Sequence, residues 1–315
     1  MPLFARIFIS LGLLALVIAF ADWRAVGAVL TEVDSWWVAC AAVLAGVDRL
    51  VINQRWQVLL AARGIRMRFL PLLRMQLAAN FLGSFLPSSV GVDAVRIAAL
   101  CRAGEPPAQV IASTLVDRAT LIIATLLFGS AMILAVAGTL VPPNVTRLVL
   151  IVTAAVLIGA SLCLLPAVRR WVRSTLFMRI PERWRLALLS VAEASLAYRS
   201  EWRVILRVAG WTMVLFAVRI LFAKAVVLSC GVDVAFAALL VVIPILWIVV
   251  MLPITVGGIG VQDLGYVALM SLLGVAPAVA VSMSLVEHVV SRVVSLPGAL
   301  FISDVSNPRP RHDFT

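Results

Sequence analysis

Apolar runs of membrane-crossing length recur along almost the whole chain, at about residues 3–21, 36–61, 107–138, 147–167, 204–230 and 276–302. A helix needs roughly 20 predominantly apolar residues to cross a bilayer. Of the 315 residues, 63% are hydrophobic and 13% charged, against about 25% charged in a soluble domain. No long polar segment remains for a soluble domain. The sequence therefore predicts one all-α, polytopic membrane domain over 1–315, with about six full transmembrane helices and a flexible tail at 303–315.

Two further apolar regions, about 70–103 and 236–274, are interrupted. The first contains FLPSSVGVDAVR at 85–96, and the second LPITVGGIGVQD at 252–263. Each has an apolar arm, a Pro/Gly-rich break and a second short arm. Positive charge sets their direction, because cytoplasmic loops carry an excess of Lys and Arg. Arg63, Arg66, Arg68 and Arg74 place the 63–74 loop inside, and eight arginines place 168–203 inside. The 22–35 loop, with Arg24 against Asp22, Glu32 and Asp34, suits the outside. Parity then makes 70–103 a re-entrant hairpin from the inside and 236–274 one from the outside, with both chain termini cytoplasmic. The start of the chain also has the pattern of a signal peptide, with Ala-x-Ala at Ala19–Ala21. It is read as a span, because its removal would delete a segment that the repeat described next requires.

PAQVIASTLVDR at 107–118 aligns without gaps to PAVAVSMSLVEH at 277–288, an offset of 170 residues. Gly104/Gly274, Asp93/Asp263 and Arg49/Arg219 share that offset. Ala, Leu and Val matches between apolar helices are cheap, but Pro, Gly and an acid recurring in order are not. The expectation is an inverted-topology repeat with oppositely directed hairpins. Repeat 1 is 1–138; repeat 2 takes its first span from 139–167 and the rest from 204–302. The stretch 168–203 is a basic amphipathic insertion on the cytoplasmic surface, suited to anionic lipid.

A backbone break in hydrocarbon must be buried in protein or line a wet cavity. Broken helices at matching places in inverted repeats point to a midplane site. Pro87 and Pro253 are the expected breaks. Ser88, Ser89, Gly91, Thr255, Gly257, Gly258 and Gly260 are expected to bring backbone and hydroxyl groups to a ligand. Intramembrane charge is costly and by default functional. Asp93 and Arg96 share a helix face, and Arg96 is the leading anion ligand. Asp117 and Arg118 are adjacent and need separate partners. Asp263, Glu287 and Arg292 complete the expected substrate-binding set, with buried ion pairing between the repeats as the alternative role for each. Arg55, Arg102 and Lys224 are expected at interfaces, with their long side chains snorkelling. The second hairpin has Tyr266 where the first has Arg96, so the first is the better anion site. His288 is in the right pKa range for proton exchange, but its first reading is a hydrogen-bonded side chain. Gly257-Gly258-x-Gly260 is no nucleotide loop, lacking a preceding strand and a Lys-Ser/Thr. The cysteines are isolated, and no metal or other cofactor is expected.

These motifs resemble a known family. Pro87…Gly91-x-Asp93-x-x-Arg96, Asp117-Arg118 and Pro253…Gly257-Gly258-x-Gly260-x-x-Asp263 are similar to the transmembrane region of lysylphosphatidylglycerol synthases, over nearly the whole chain. That family's second hairpin usually has Glu at the position of Asp263. The resemblance implies a flippase-like domain that moves a lipid between leaflets. In two-domain members the lipid is an aminoacylated phosphatidylglycerol, and stand-alone relatives are associated with hopanoids or polyprenyl-linked glycolipids.

The leading expectation is a translocase, not an enzyme, for a lipid with an anionic or phosphate-containing headgroup, in a bacterial cytoplasmic membrane. Two alternatives stand beside it. One is a membrane-embedded lipid-modifying enzyme; the other is a non-catalytic docking partner of a separate lipid synthase. A homodimer is a further possible assembly. The net charge of +11 lies in loops flanking spans and does not call for nucleic acid.

Overall fold

The computed structural model describes residues 22–84, 90–136, 143–165, 167, 170, 174, 182–251 and 260–306. Their regular structure is entirely helical. In chain order the helices are α1 (Trp23–Thr31), α2 (Ser35–Ala62), α3 (Phe69–Gly83), α4 (Val90–Arg102), α5 (Pro107–Val136) and α6 (Pro143–Leu164). They continue with α7 (Glu182–Leu196), α8 (Trp202–Ser229), α9 (Phe236–Met251), α10 (Val261–Ser271), α11 (Pro277–Ser295) and α12 (Ile302–Ser306). A 3₁₀ turn, Leu296–Phe301, joins α11 to α12, and another, Ala197–Ser200, follows α7.

Among the described residues five helical segments are long and apolar enough to cross a membrane: α2, α5, α6, α8, and α11 with its continuation to Ser306. The chain is an all-α polytopic membrane protein. The expected span at 3–21 lies outside the described residues. Burial ranks the spans: 67% of the α8 window is buried inside the protein but only 11% of the α6 window. So α8 is the central column, and α6 turns most of its apolar surface outward, as a lipid-facing helix does.

The two interrupted regions form arm pairs, α3 with α4 and α9 with α10, each in mutual contact. Glycine permits the close approach. A Cβ at Gly83 would run into Val92, and one at Gly265 would reach 2.5 Å from Leu246 Cδ1. The segments joining the arms, 85–89 and 252–259, lie outside the described residues, so the direction of each hairpin is not described either.

Helix ends follow local chemistry. α5 and α11 each begin at a proline, whose fixed φ and missing N–H suit a first turn. Before each, the arm ends at a glycine in the left-handed region, Gly104 at φ 90° and Gly274 at φ 78°. The caps match: Glu105 N–H donates to Leu100 O at 3.1 Å, and Val275 N–H donates to Met270 O at 3.1 Å.

Residues 22–35 were expected as a loop. Residues 23–31 instead form α1. Asp22 caps it, accepting from the N–H groups of Arg24 and Ala25 at 3.1 and 3.2 Å. Val26 anchors it in a cluster with Val281 of α11. The polar residues that suggested a loop are its cap and its exposed end.

α2 and α8 pack along their lengths and carry the main core. Around them the contacts are crosswise: α5 lies against α9, and α3 lies against the 3₁₀ turn that extends α11. Within 168–203, α7 packs on α5. Tyr198 is buried, and its hydroxyl donates to Leu59 O at 2.7 Å. Burial pushes the phenol up to about 12, so it stays a donor across the physiological range. Arg63 lies 4.2 Å over its ring and pairs with Glu201.

Candidate functional site

Asp93 occupies the first turn of α4, where a carboxylate complements the positive end of the helix dipole. Arg96 follows one turn later on the same face, and the two pair at 2.7 Å. α5 supplies the partners. Asp117 faces Arg96 at 3.6 Å and Arg55 of α2 at 3.2 Å. Arg118 pairs instead with the other Asp93 oxygen at 2.5 Å. The adjacent Asp117 and Arg118 thus find separate partners. Gln76 of α3 accepts from Arg96 at 3.4 Å, and the Arg96 guanidinium lies 4.5 Å over the Trp56 ring.

A second arginine pair lies between α2 and α8. Asp48 accepts from Arg49 at 3.0 Å and from Arg219 at 2.7 Å. Arg219 lies 3.9 Å over Trp247 of α9. Stacking on an indole face holds a guanidinium in one plane and adds cation–π attraction.

Both groups border one cavity of ≈ 190 Å³, lined by Arg49, Arg55, Arg96, Arg118 and Arg219, by Asp93 and Asp117, and by Gln76 and Asn80. Ile52, Leu121, Trp247 and Val250 form an apolar side. Holding one water takes only about 10–15 Å³ of probe-occupied volume, so a headgroup-sized polar group fits. Arg55 and Arg96 are 1% and 2% exposed. Among the described residues, the Nε–H groups of Arg49, Arg55 and Arg96, and the amide nitrogen of Asn80, have no hydrogen-bond partner. An unsatisfied buried donor costs about 1–3 kcal/mol, and more when charged. An anionic group entering the cavity would meet these donors.

The second arm pair, with α11, builds a different cluster from corresponding positions. Asp263 accepts from Gly260 N–H at 2.8 Å, capping α10, while Gly260 sits at φ 85°. Its other oxygen accepts from the Ser284 hydroxyl at 2.5 Å and lies 3.3 Å from His288 Nε2. Tyr266 donates to Glu287. Two contacts recur at the 170-residue offset. Asp93–Arg118 becomes Asp263–His288, and Arg96–Asp117 becomes Tyr266–Glu287. A smaller cavity of ≈ 60 Å³, bordered by Glu287, Ser291, Asp48, Arg49, Arg219 and Trp247, lies toward this cluster.

Of the residues expected to bind substrate, Asp93, Arg96, Asp117 and Arg118 converge on the larger cavity. Asp263, Gly260 and Glu287 gather in the second cluster. Gly91 is buried at the start of α4. Arg292 stands apart: it is exposed, and its guanidinium donates to the His288 carbonyl of its own helix at 3.4 Å. Pro87, Ser88, Ser89, Pro253, Thr255, Gly257 and Gly258 lie outside the described residues. Arg55 corrects an interfacial expectation: it is buried against Asp117, donating also toward Thr120 Oγ1 at 3.4 Å. Lys224 pairs with Asp233 near the end of α8, and Arg102 donates to Val305 O at 3.3 Å. Gln76, Asn80, Trp56 and Trp247 were not anticipated. Among the described residues no group of three or more His, Cys, Asp or Glu side chains converges as for a metal.

The family model for the lysylphosphatidylglycerol synthase TM region matches residues 3–298. The chain belongs to that family. No curated protein and no solved structure matches it.

Proposed function

We propose that this member of the lysylphosphatidylglycerol synthase TM region family is a lipid translocase. It moves a lipid with an anionic, phosphate-containing headgroup between leaflets, while the acyl or prenyl tails stay in the bilayer. One observation carries the reading: a cavity lined by five arginines, three of which have an Nε–H without a partner among the described residues. Guanidinium groups bind phosphate oxygens in a planar fork. Charge at this depth is costly and is retained where it serves a pathway or pairs.

The cavity is bordered by α4 just after one interruption and by α9 just before the other. In the proposed mechanism the two interrupted regions are oppositely directed hairpins of an inverted repeat, and rocking of one repeat against the other alternates access to the cavity. The contacts that recur at one offset support this reading, as do the crosswise packing of α5 on α9 and of α3 on the α11 extension. Asp93 and Asp117 hold the arginines in place between turnovers.

Ser284, Asp263 and His288 come together: Asp263 accepts from the Ser284 hydroxyl and from Gly260 N–H and faces His288, a set of bonds that ties α10 to α11.

The test is reconstitution in liposomes holding a headgroup-labelled anionic phospholipid, with leaflet distribution followed by a membrane-impermeant quencher. The same lipid is then analysed by mass spectrometry. Transbilayer movement of unchanged lipid by wild type, lost with Arg96→Gln, supports the translocase. A chemically altered lipid supports the enzyme instead. Equal movement by both proteins contradicts the role of this cavity.

A further inference from the structure

We infer that the headgroup this cavity selects carries two negative charges on a terminal phosphate, as a phosphomonoester or diphosphate lipid does, and not the single charge of a phosphodiester. This rests on the translocase reading and narrows its substrate. The cavity is bordered by two arginine pairs, each sharing one carboxylate: Arg55 and Arg96 share Asp117, and Arg49 and Arg219 share Asp48. Each trio is left with one surplus positive charge. Asp93, paired with Arg118 at 2.5 Å and with Arg96 at 2.7 Å, offsets the fifth arginine, so five arginines stand against three aspartates. Glu287, bonded by the Tyr266 hydroxyl, does not line the larger cavity; it borders the smaller one, on the other side of Arg49 and Arg219.

The two trios are built alike. One guanidinium of each lies over an indole ring, Arg96 over Trp56 and Arg219 over Trp247. Each also has Nε–H groups without a partner among the described residues, on Arg55 and Arg96 in one and on Arg49 in the other. A phosphodiester offers two non-bridging oxygens and one charge, which satisfies one trio. A terminal phosphate offers three oxygens and up to two charges, which answers both.

The discriminating property is the second ionisation of a phosphomonoester, near pH ~6, which a phosphodiester lacks. The experiment uses the full chain in mild detergent and measures the affinity of phosphatidic acid and phosphatidylglycerol at pH 5 and pH 8. Expected is a preference for phosphatidic acid of about tenfold or more at pH 8, the worth of one charged hydrogen bond. The preference should shrink at pH 5, where that lipid carries one charge. Phosphatidylglycerol controls for titration of the site itself, which would move both affinities. Arg96→Gln and Arg219→Gln should each remove the preference. Should Arg219→Gln fail to fold, Arg49→Gln replaces it, a side chain already 21% exposed.

Equal affinity for the two lipids at pH 8, still dependent on Arg96, overturns the two-charge selectivity and leaves the translocase standing. A preference that survives loss of Arg219 and Arg49 overturns the role of the second trio. Failure of both lipids to bind overturns the anionic-headgroup reading as a whole.

Discussion

The clusters at the two interrupted regions use the same four positions, 170 residues apart, to opposite electrostatic effect. In the first, Asp93, Arg96, Asp117 and Arg118 are all formally charged and meet in ion pairs. In the second, Asp263, Tyr266, Glu287 and His288 keep the pairing pattern, but a phenol and an imidazole replace the two guanidiniums. Arg55 also has no counterpart, since position 55 + 170 = 225 is Ala225. The shared pattern belongs to the scaffold, and the arginine ion pairs belong to the first cluster alone. Breaking a buried ion pair leaves an uncompensated charge, whereas weakening a hydrogen bond to a neutral partner costs less. The two clusters should therefore respond very differently to matched substitutions.

The largest effect is expected at Arg55. Arg55→Met strips Asp117 of its better-aligned cation and should cost about 3–5 kcal/mol, read as a lowered unfolding midpoint in detergent. A midpoint within the error of wild type would mean that Asp117 is not held as described. Next is Arg96→Tyr, which gives the first cluster the residue of the second. A phenol can still donate to Asp117, so folding should survive, but anionic-lipid affinity should fall at least about 30-fold. Retained affinity would erase the functional difference between the clusters.

Gly104→Ala and Gly274→Ala probe what the two regions share. Both glycines sit at positive φ with open space around the missing Cβ. Each substitution should cost about 1–2 kcal/mol through backbone strain alone, and by equal amounts. Unequal costs would break the structural correspondence. Glu287→Gln should cost about 1 kcal/mol, because Gln can still accept from Tyr266. A loss as large as that at Arg55 would show that the second cluster is an ion-pair site after all. Arg292→Ala is the smallest, within about 0.5 kcal/mol and without effect on lipid binding, since Arg292 is exposed and, among the described residues, bonds its own helix.

Span-length apolar runs made most of the helices legible, because hydrocarbon leaves the backbone few options. Within the site, the i, i+3 spacing foretold the Asp93–Arg96 pair. The opposite facing of adjacent residues foretold that Asp117 and Arg118 part company. Other features were not legible. Arg55 sits one residue before Trp56 near the end of a span, where an interfacial arginine also sits. Only the packing of α2 against α5 brings it to Asp117, 62 residues on. Trp247 lies within an interrupted region, away from the span ends where tryptophan belts form, and that displacement was the one available signal for its stacking on arginine; Trp56, near a span end, gave none. Gln76 and Asn80 left no mark, since a single amide in an apolar arm has no period or partner in sequence. The helix at Trp23–Thr31 was hidden because its capping aspartate reads equally well as loop polarity.

The most direct measurement is mass spectrometry of the lipids that co-purify, in mild detergent from native membranes, with wild type, Arg96→Tyr and His288→Gln. The account predicts one anionic lipid class enriched on wild type and on His288→Gln, and lost on Arg96→Tyr. The same lipid profile on all three folded proteins would contradict it, and the first cluster would then stand as an ion-pair scaffold with no headgroup to hold.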